Sequence, residues 1–196
     1  MNPILSFWIV FAILAAAMLF ATVKYGMLND SSILVSNKPY SFSRTQLAWW
    51  TLIILSAFTA IILSARNENH DIPVFSIRVV ILLGISAGTL ASARITELGE
   101  QRSSTAPPAS FIQNQNSESF LLDILSDKDG VSIHRLQALI FNLVLGCWFI
   151  YKVLHALPVT SGPGSIMPEL NDNDLILLGI SSGTYVALKT GENKKY

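Results

Sequence analysis

Residues 82–89 read LLGISAGT, and residues 177–184 read LLGISSGT. Each copy contains G-x-S-x-G, the spacing of a serine-hydrolase nucleophile elbow. Each also contains G-x-x-x-G, the spacing of a close helix contact in membranes. Both copies lie inside long apolar runs, where a lipid-exposed strand or loop is not tolerated, so the repeat predicts a helix-packing face. The four glycines of this face are Gly84, Gly88, Gly179 and Gly183.

The apolar runs themselves indicate a membrane protein. Hydrophobic residues make up 51% of the 196 residues, whereas charged residues make up only 13%, about half of the roughly 25% found in soluble domains. A run of about 20 apolar residues can cross the bilayer as a helix. Five runs are present, at residues 3–23, 45–64, 74–93, 136–157 and 175–190. They predict an all-α polytopic membrane bundle with about five transmembrane helices, the last of which is short enough to be re-entrant.

A longer duplication surrounds the two glycine elements. Residues 41–46 (SFSRTQ) and 132–137 (SIHRLQ) share the pattern S-x-x-R-x-Q, and each opens an apolar run. Each unit therefore consists of a surface segment, one helix out and one helix back. An even number of crossings separates the units, which predicts two parallel hairpin repeats related by an axis along the membrane normal. The repeated polar positions are Arg44, Gln46, Arg135 and Gln137.

This tandem arrangement resembles a group of bacterial inner-membrane proteins with no assigned activity. The resemblance rests on the S-x-x-R-x-Q helix followed by the LLGIS[AS]GT helix, and it covers residues 33–189. It implies a multi-pass location in the bacterial inner membrane and no known cofactor.

The composition divides the chain into five segments. Residues 1–32 hold an anchor helix, predicted to be an uncleaved signal anchor because no positive region precedes it and Lys24 follows it. Residues 33–97 form the first hairpin repeat, and residues 98–116, rich in Ser, Pro, Gln and Asn, form a flexible linker. Residues 117–190 form a short amphipathic helix and the second repeat, and residues 191–196 form a tail.

The distribution of Lys and Arg predicts the orientation. Ten of these residues fall in the first connection, the third connection and the tail, and three fall on the opposite side: Arg66, Arg78 and Lys152. The positive-inside rule then places the N-terminus outside and the C-terminus in the cytoplasm.

Two interpretations apply to the polar residues near the helix ends. Arg44 and Arg135 are expected to extend to the headgroups, or else to bind backbone carbonyls or acidic residues, with Glu97 as a candidate partner. Trp49 and Trp50 fit an interfacial aromatic belt.

Three functions are considered. The leading hypothesis is a homo-oligomeric protein that forms or surrounds an ion-conducting pore, because hydroxyl and amide residues recur along the duplicated helices. These are Thr51, Ser56, Thr59, Ser86, Thr89, Asn142, Ser181 and Thr184. Acidic residues in the outer connections would concentrate cations at an outer mouth. These are Glu68, Asp71, Glu169, Asp172 and Asp174.

The first alternative is a non-conducting scaffold or sensor, in which the glycine faces hold the bundle and residues 97–135 recruit a cytoplasmic partner. The remote alternative is an intramembrane serine hydrolase that uses Ser86 or Ser181, although none of the three histidines is predicted at the required depth. No metal site, cofactor or nucleic-acid partner is predicted, since Cys147 is the only cysteine and the net charge is zero.

Overall fold

The computed structural model describes residues 2–32, 34–64, 75–103, 111–127, 130–157 and 170–190. Within these ranges lie six α-helices, one short 3-10 helix at Ile112–Asn114 and one small antiparallel strand pair, β1 (Ser126–Asp127) and β2 (Gly130–Val131). The helices are α1 (Pro3–Tyr25), α2 (Phe42–Ser64), α3 (Ile77–Ser103), α4 (Phe120–Leu125), α5 (Ile133–Ala156) and α6 (Asp172–Lys189).

Four of these helices are long and apolar enough to cross a membrane, namely α1, α2, α3 and α5. The predicted all-helical membrane architecture is confirmed at this level. Helix α6 has 18 residues, and it contains Asp172, Asp174 and Lys189, so it does not join the four. Its crossing of the membrane remains a prediction, as does the re-entrant alternative.

Helix α2 is the centre of the assembly, because α1, α3 and α5 all pack against it. Helix α6 completes the bundle by packing on α3 and α5. Contacts between α3 and α6 occur at both helix starts, between Arg78 and Asp172, and near both helix ends, between Glu97 and Lys189. The two helices therefore run parallel.

The relation between the hairpins differs from the predicted rotation. An axis along the membrane normal would place equivalent helices diagonally across the bundle. In the described residues the main contacts instead join α2 to α5 and α3 to α6. Equivalent helices of the two predicted hairpins are therefore neighbours in the described bundle.

The centre of the bundle is filled with side chains. Trp50, Ile53, Leu82, Phe149 and Leu178 belong to one apolar cluster, and each is at most 1% exposed. Such packing excludes water from the space between the helices. In the described part of one chain, these side chains fill the centre of the bundle.

Helix α1 lies at the periphery of the described bundle. It packs on α2, and most of its apolar surface is exposed; Val23, for example, is 88% exposed. The helix ends at Gly26, whose φ of 63° is left-handed and whose N–H bonds back to Ala21 O and Thr22 O. Glycine adopts this conformation at a helix end without steric strain.

The connection between the hairpins is more ordered than the predicted linker. Helix α3 continues to Ser103, ten residues beyond the end of its apolar run, so residues 98–103 are helical. Residues 104–110, like the tail at 191–196, lie outside the described residues. The predicted amphipathic helix is present as α4, capped by the Ser119 side chain, which accepts from Leu122 N.

Candidate functional site at the cap end of the bundle

The end of the bundle where α1 and α3 end and α2 and α5 begin is called here the cap end. Two segments fold over it, residues 26–41 (of which residue 33 lies outside the described residues) and residues 111–127, and together they form the cap. Ser117 N donates to Asn37 O at 2.9 Å, and Asn37 Nδ2 donates to Ser117 O at 3.1 Å. Ser32 Oγ donates to Asn114 Oδ1 at 2.7 Å. The connection between the hairpins is thereby fastened to the connection before α2.

Asp123 organises the contact between α4 and the rest of the cap. Its carboxylate accepts from Tyr40 N at 3.1 Å, from Ser117 Oγ at 2.6 Å and from Glu118 N at 3.1 Å. A carboxylate with three such donors fixes the backbone around it. Sequence reasoning missed this residue, because the contact with Tyr40 joins two residues that are 83 positions apart in the chain.

The two repeated arginines play the same local role. Arg44 donates to Met27 O at 3.3 Å and to Ser31 Oγ at 2.8 Å. Arg135 donates to Ser126 O at 2.6 Å. Each arginine therefore binds the connection that precedes its own helix, and in these bonds neither arginine joins one repeat to the other.

The predicted partnership of Glu97 with Arg44 or Arg135 is wrong. Glu97 Oε1 pairs with Lys189 Nζ at 3.0 Å, and both side chains are only 6% exposed. Its other oxygen accepts from Arg94 Nη1 at 3.2 Å. Since α3 extends past its apolar run, Glu97 lies within the helix and faces α6 instead of following the helix end.

The repeat itself contains a signal for this site. The offset that aligns Gly84 with Gly179 also aligns Arg94 with Lys189. The two equivalent cations of the repeat therefore converge on one carboxylate, which joins the end of α3 to the end of α6.

Asp30 completes this group of charges. Burial raises the pKa of the Asp30 carboxyl above its ordinary value, and the nearby charge of Glu97 acts in the same direction. Lys189, a bond from Ser41 and the charge of Arg44 oppose this rise in pKa. The cap charge cluster is defined here as Asp30, Arg44, Arg94, Glu97 and Lys189.

The two glutamines of the S-x-x-R-x-Q motif differ in their exposure to solvent. Gln46 is buried, and its Nε2 donates to Ser182 Oγ at 3.0 Å. Gln137, the equivalent residue, is exposed. The central position of α2 accounts for this difference.

Asn142 joins α5 to α2. Its Oδ1 accepts from Trp50 Nε1 at 2.7 Å, and its backbone oxygen accepts from Trp49 Nε1 at 3.0 Å. The expected interfacial belt of Trp49 and Trp50 is thus wrong, because both indoles point at α5. Gly146, one turn along α5, leaves the space that the Trp49 indole occupies.

The other predicted pore-lining residues are distributed over several environments. Ser56 and Thr89 donate to carbonyls of their own helices. Ser86 and Ser181 are buried, and their hydroxyls have no hydrogen-bond partner among the described residues. Thr51 and Thr59 are half-buried, and Thr184 is exposed.

The four glycines of the predicted packing face do not pack inside the described chain. A Cβ added at Gly84, Gly88, Gly179 or Gly183 would meet no atom within 4 Å. The expected contact within the bundle is therefore absent in the described residues. These positions on α3 and α6 are open to a second molecule or to lipid.

The predicted acidic mouth is described only in part, because Glu68, Asp71 and Glu169 lie outside the described residues. Asp172 pairs with Arg78 at 2.9 Å. Asp174 accepts from Asn171 N at 3.1 Å and forms a capping box at the start of α6. Both described carboxylates therefore have partners that stabilise α6.

The described residues offer little geometry for catalysis. The Ser86 and Ser181 hydroxyls bond to no side chain there, whereas His134 bonds to Ser132 and His155 to Tyr151 O. In the same ranges, no three His, Cys, Asp or Glu side chains are placed to hold a metal ion.

No protein-family model, curated protein or solved structure matches this chain.

Proposed function

We propose that the protein is a non-conducting membrane scaffold or sensor, in which the helix bundle holds the protein in the membrane and the cap is the surface that carries the function. The observation that carries this proposal is the folding of residues 111–127 onto residues 26–41 by specific hydrogen bonds. A mere linker between two hairpins would not need such contacts. The filled centre of the bundle supports the same function.

The cap also offers a surface for a protein partner. Phe120, Leu121 and Leu122 of α4 are 41%, 58% and 42% exposed. Adjacent exposed apolar residues on a short helix are typical of contact with a partner or a membrane surface. The excess of Lys and Arg predicts that the cap faces the cytoplasm of a bacterial inner membrane.

A pore between copies of the chain is the second candidate. The open glycines on α3 and α6, together with the exposed Thr184, support it, because small residues let membrane helices of two subunits approach closely. Conduction would then take place along surfaces that a single chain leaves uncovered.

Ion flux separates the two candidates. We expect purified protein in liposomes to pass no K⁺, Na⁺ or H⁺ above the level of empty liposomes, while its oligomeric mass is determined in the same preparation. A flux that is lost in Gly88→Leu/Gly183→Leu, with assembly retained, would contradict the scaffold and establish a pore that depends on those faces.

A further inference from the structure

A groove runs between α1, α2 and α3 into the cap charge cluster. Helices α1 and α3 both pack on α2, and their main contacts do not include each other. The space between them has a volume of about 570 Å³. Its apolar walls come from the three helices, with Met18 from α1, Leu47 from α2 and Leu90 from α3.

The groove changes character at the cap end. There it is lined by Asp30, Arg44, Arg94 and Glu97. Three of these residues, Asp30, Arg44 and Arg94, also line a more polar cleft of about 1030 Å³ beneath the cap, together with Asn29 and Asn114 among others. The two spaces thus share a charged boundary.

The charges at this boundary favour an anion. The negative charge of Glu97 already forms an ion pair with Lys189 from α6. In the described residues, Arg44 forms no ion pair within 4 Å, and its hydrogen bonds to Met27 O and Ser31 Oγ occupy only part of the five N–H donors of a guanidinium. Arg94 uses one nitrogen on Glu97, and its side chain is 37% exposed. Guanidinium groups bind phosphate oxygens well because they present several donors in one plane.

We propose that this groove holds an anionic phospholipid of the surrounding membrane, with its phosphate between Arg44 and Arg94 and one acyl chain against Met18, Leu47 and Leu90. The apolar part of the groove is formed by three helices that are apolar enough to span the bilayer, so its natural occupant is a hydrocarbon chain. The charged boundary lies where α1 ends, where α2 begins and just past the apolar run of α3, at the level where headgroups are found. A scaffold and a pore would carry this site equally, so it does not depend on the proposed function.

The matched variants separate charge from shape. Arg44→Gln/Arg94→Gln removes the charge that binds the phosphate. Ala91→Phe fills the groove beside Arg94, and it starts from an exposed residue, so the helix contacts stay intact. Arg102→Gln, two turns further along α3 and exposed, is the control for loss of charge.

Native mass spectrometry of the delipidated full-length protein in non-ionic detergent tests the proposal. The probes are dioleoylphosphatidylglycerol, dioleoylphosphatidylcholine and inorganic phosphate. We expect one phosphatidylglycerol per chain, bound at least tenfold more tightly than phosphatidylcholine. Both Arg44→Gln/Arg94→Gln and Ala91→Phe should abolish this difference, and Arg102→Gln should retain it.

Three outcomes would overturn the proposal. The first is equal binding of the two lipids by the wild type. The second is undiminished phosphatidylglycerol binding by Ala91→Phe. The third is inorganic phosphate binding as tightly as the lipid and independently of Ala91→Phe, which would make the site one for a free anion. If the double arginine variant does not fold, the folded Ala91→Phe variant decides alone.

Discussion

Glu97→Gln lowers the free energy of unfolding of the bundle by about 3–5 kcal/mol, because it leaves the buried ammonium of Lys189 without its carboxylate. The two atoms are 3.0 Å apart, and both side chains are 6% exposed. Removing Glu97 also removes one cause of the raised pKa of Asp30. Asp30 then ionises more readily beside Lys189, which places the expected loss near the lower end of the range.

Lys189→Met is expected to cost less than Glu97→Gln. After that change Glu97 still has Arg94 at 3.2 Å, and Arg94 is partly exposed, so the carboxylate keeps a hydrated partner. Unfolding by sodium dodecyl sulfate in mixed micelles, monitored by circular dichroism, measures both losses. Equal stability of Glu97→Gln and the wild type would show that the pair is not buried.

Asp30→Asn is the matched control for Glu97→Gln, since it removes one carboxylate from the same cluster. Its expected effect on the free energy of unfolding has the opposite sign. The folded state keeps the Asp30 proton to a higher pH than the unfolded state does, because burial raises the pKa above 3.8. The protonated Asp30 carboxyl therefore contributes to the free energy of unfolding at low pH. This contribution is lost as the pH rises from about 4 through the raised pKa. Asparagine cannot ionise, so the variant should equal or exceed the wild type at neutral pH, and the difference should vanish below pH 3.8. A loss as large as that of Glu97→Gln would contradict the assignment.

Gly146→Ala is expected to lower the free energy of unfolding by about 1–3 kcal/mol through overpacking. The added Cβ would lie 2.8 Å from Cε2 and Cζ2 of Trp49, and closer still to Nε1. The indole cannot move away freely, because its Nε1 donates to Asn142 O at 3.0 Å. A change in the near-ultraviolet circular dichroism of the tryptophans should accompany the loss.

Gly183→Ala provides the control for Gly146→Ala. A Cβ at Gly183 meets nothing within 4 Å, and alanine is the better helix former by about 1 kcal/mol. We expect the stability of this variant to be unchanged or slightly higher. If the two alanine variants unfold alike, the contact between Trp49 and α5 is not part of the native packing.

The glycines of these variants show how much of the packing could be predicted from the sequence. The lengths of the apolar runs predicted α1, α2, α3 and α5, because the bilayer sets the length of a spanning helix. The motif G-x-x-x-G predicted a helix-packing face, and its four glycines make no close contact inside the described chain, so packing between copies stays a prediction. Gly146 belongs to no motif, and its contact depends on which face of α5 meets α2.

The contacts of the cap likewise divide into those between residues near in sequence and those between residues distant in sequence. The pattern S-x-x-R-x-Q marks Arg44 and Arg135 as equivalent positions, and each of them binds a segment nearby in the chain. The contacts between Asp30, Glu97 and Lys189 join three elements that are distant in sequence. In the sequence, only the alignment of Arg94 with Lys189 in the repeat indicates these contacts. The apolar pattern does not place Glu97 inside a helix, because α3 continues beyond its apolar run.

The docking of residues 111–127 onto residues 26–41 underlies the whole cap, and a disulfide tests it most directly. The bond from Ser117 N to Asn37 O, at 2.9 Å, brings the two backbones into direct contact, and a disulfide needs such proximity. Asn37→Cys/Ser117→Cys in a Cys147→Ala background should cross-link when native membranes are oxidised. Asn37→Cys/Asn173→Cys, whose second cysteine lies at the opposite end of α6, should not. Absence of the first cross-link, or equal cross-linking of both pairs, would contradict the folded cap.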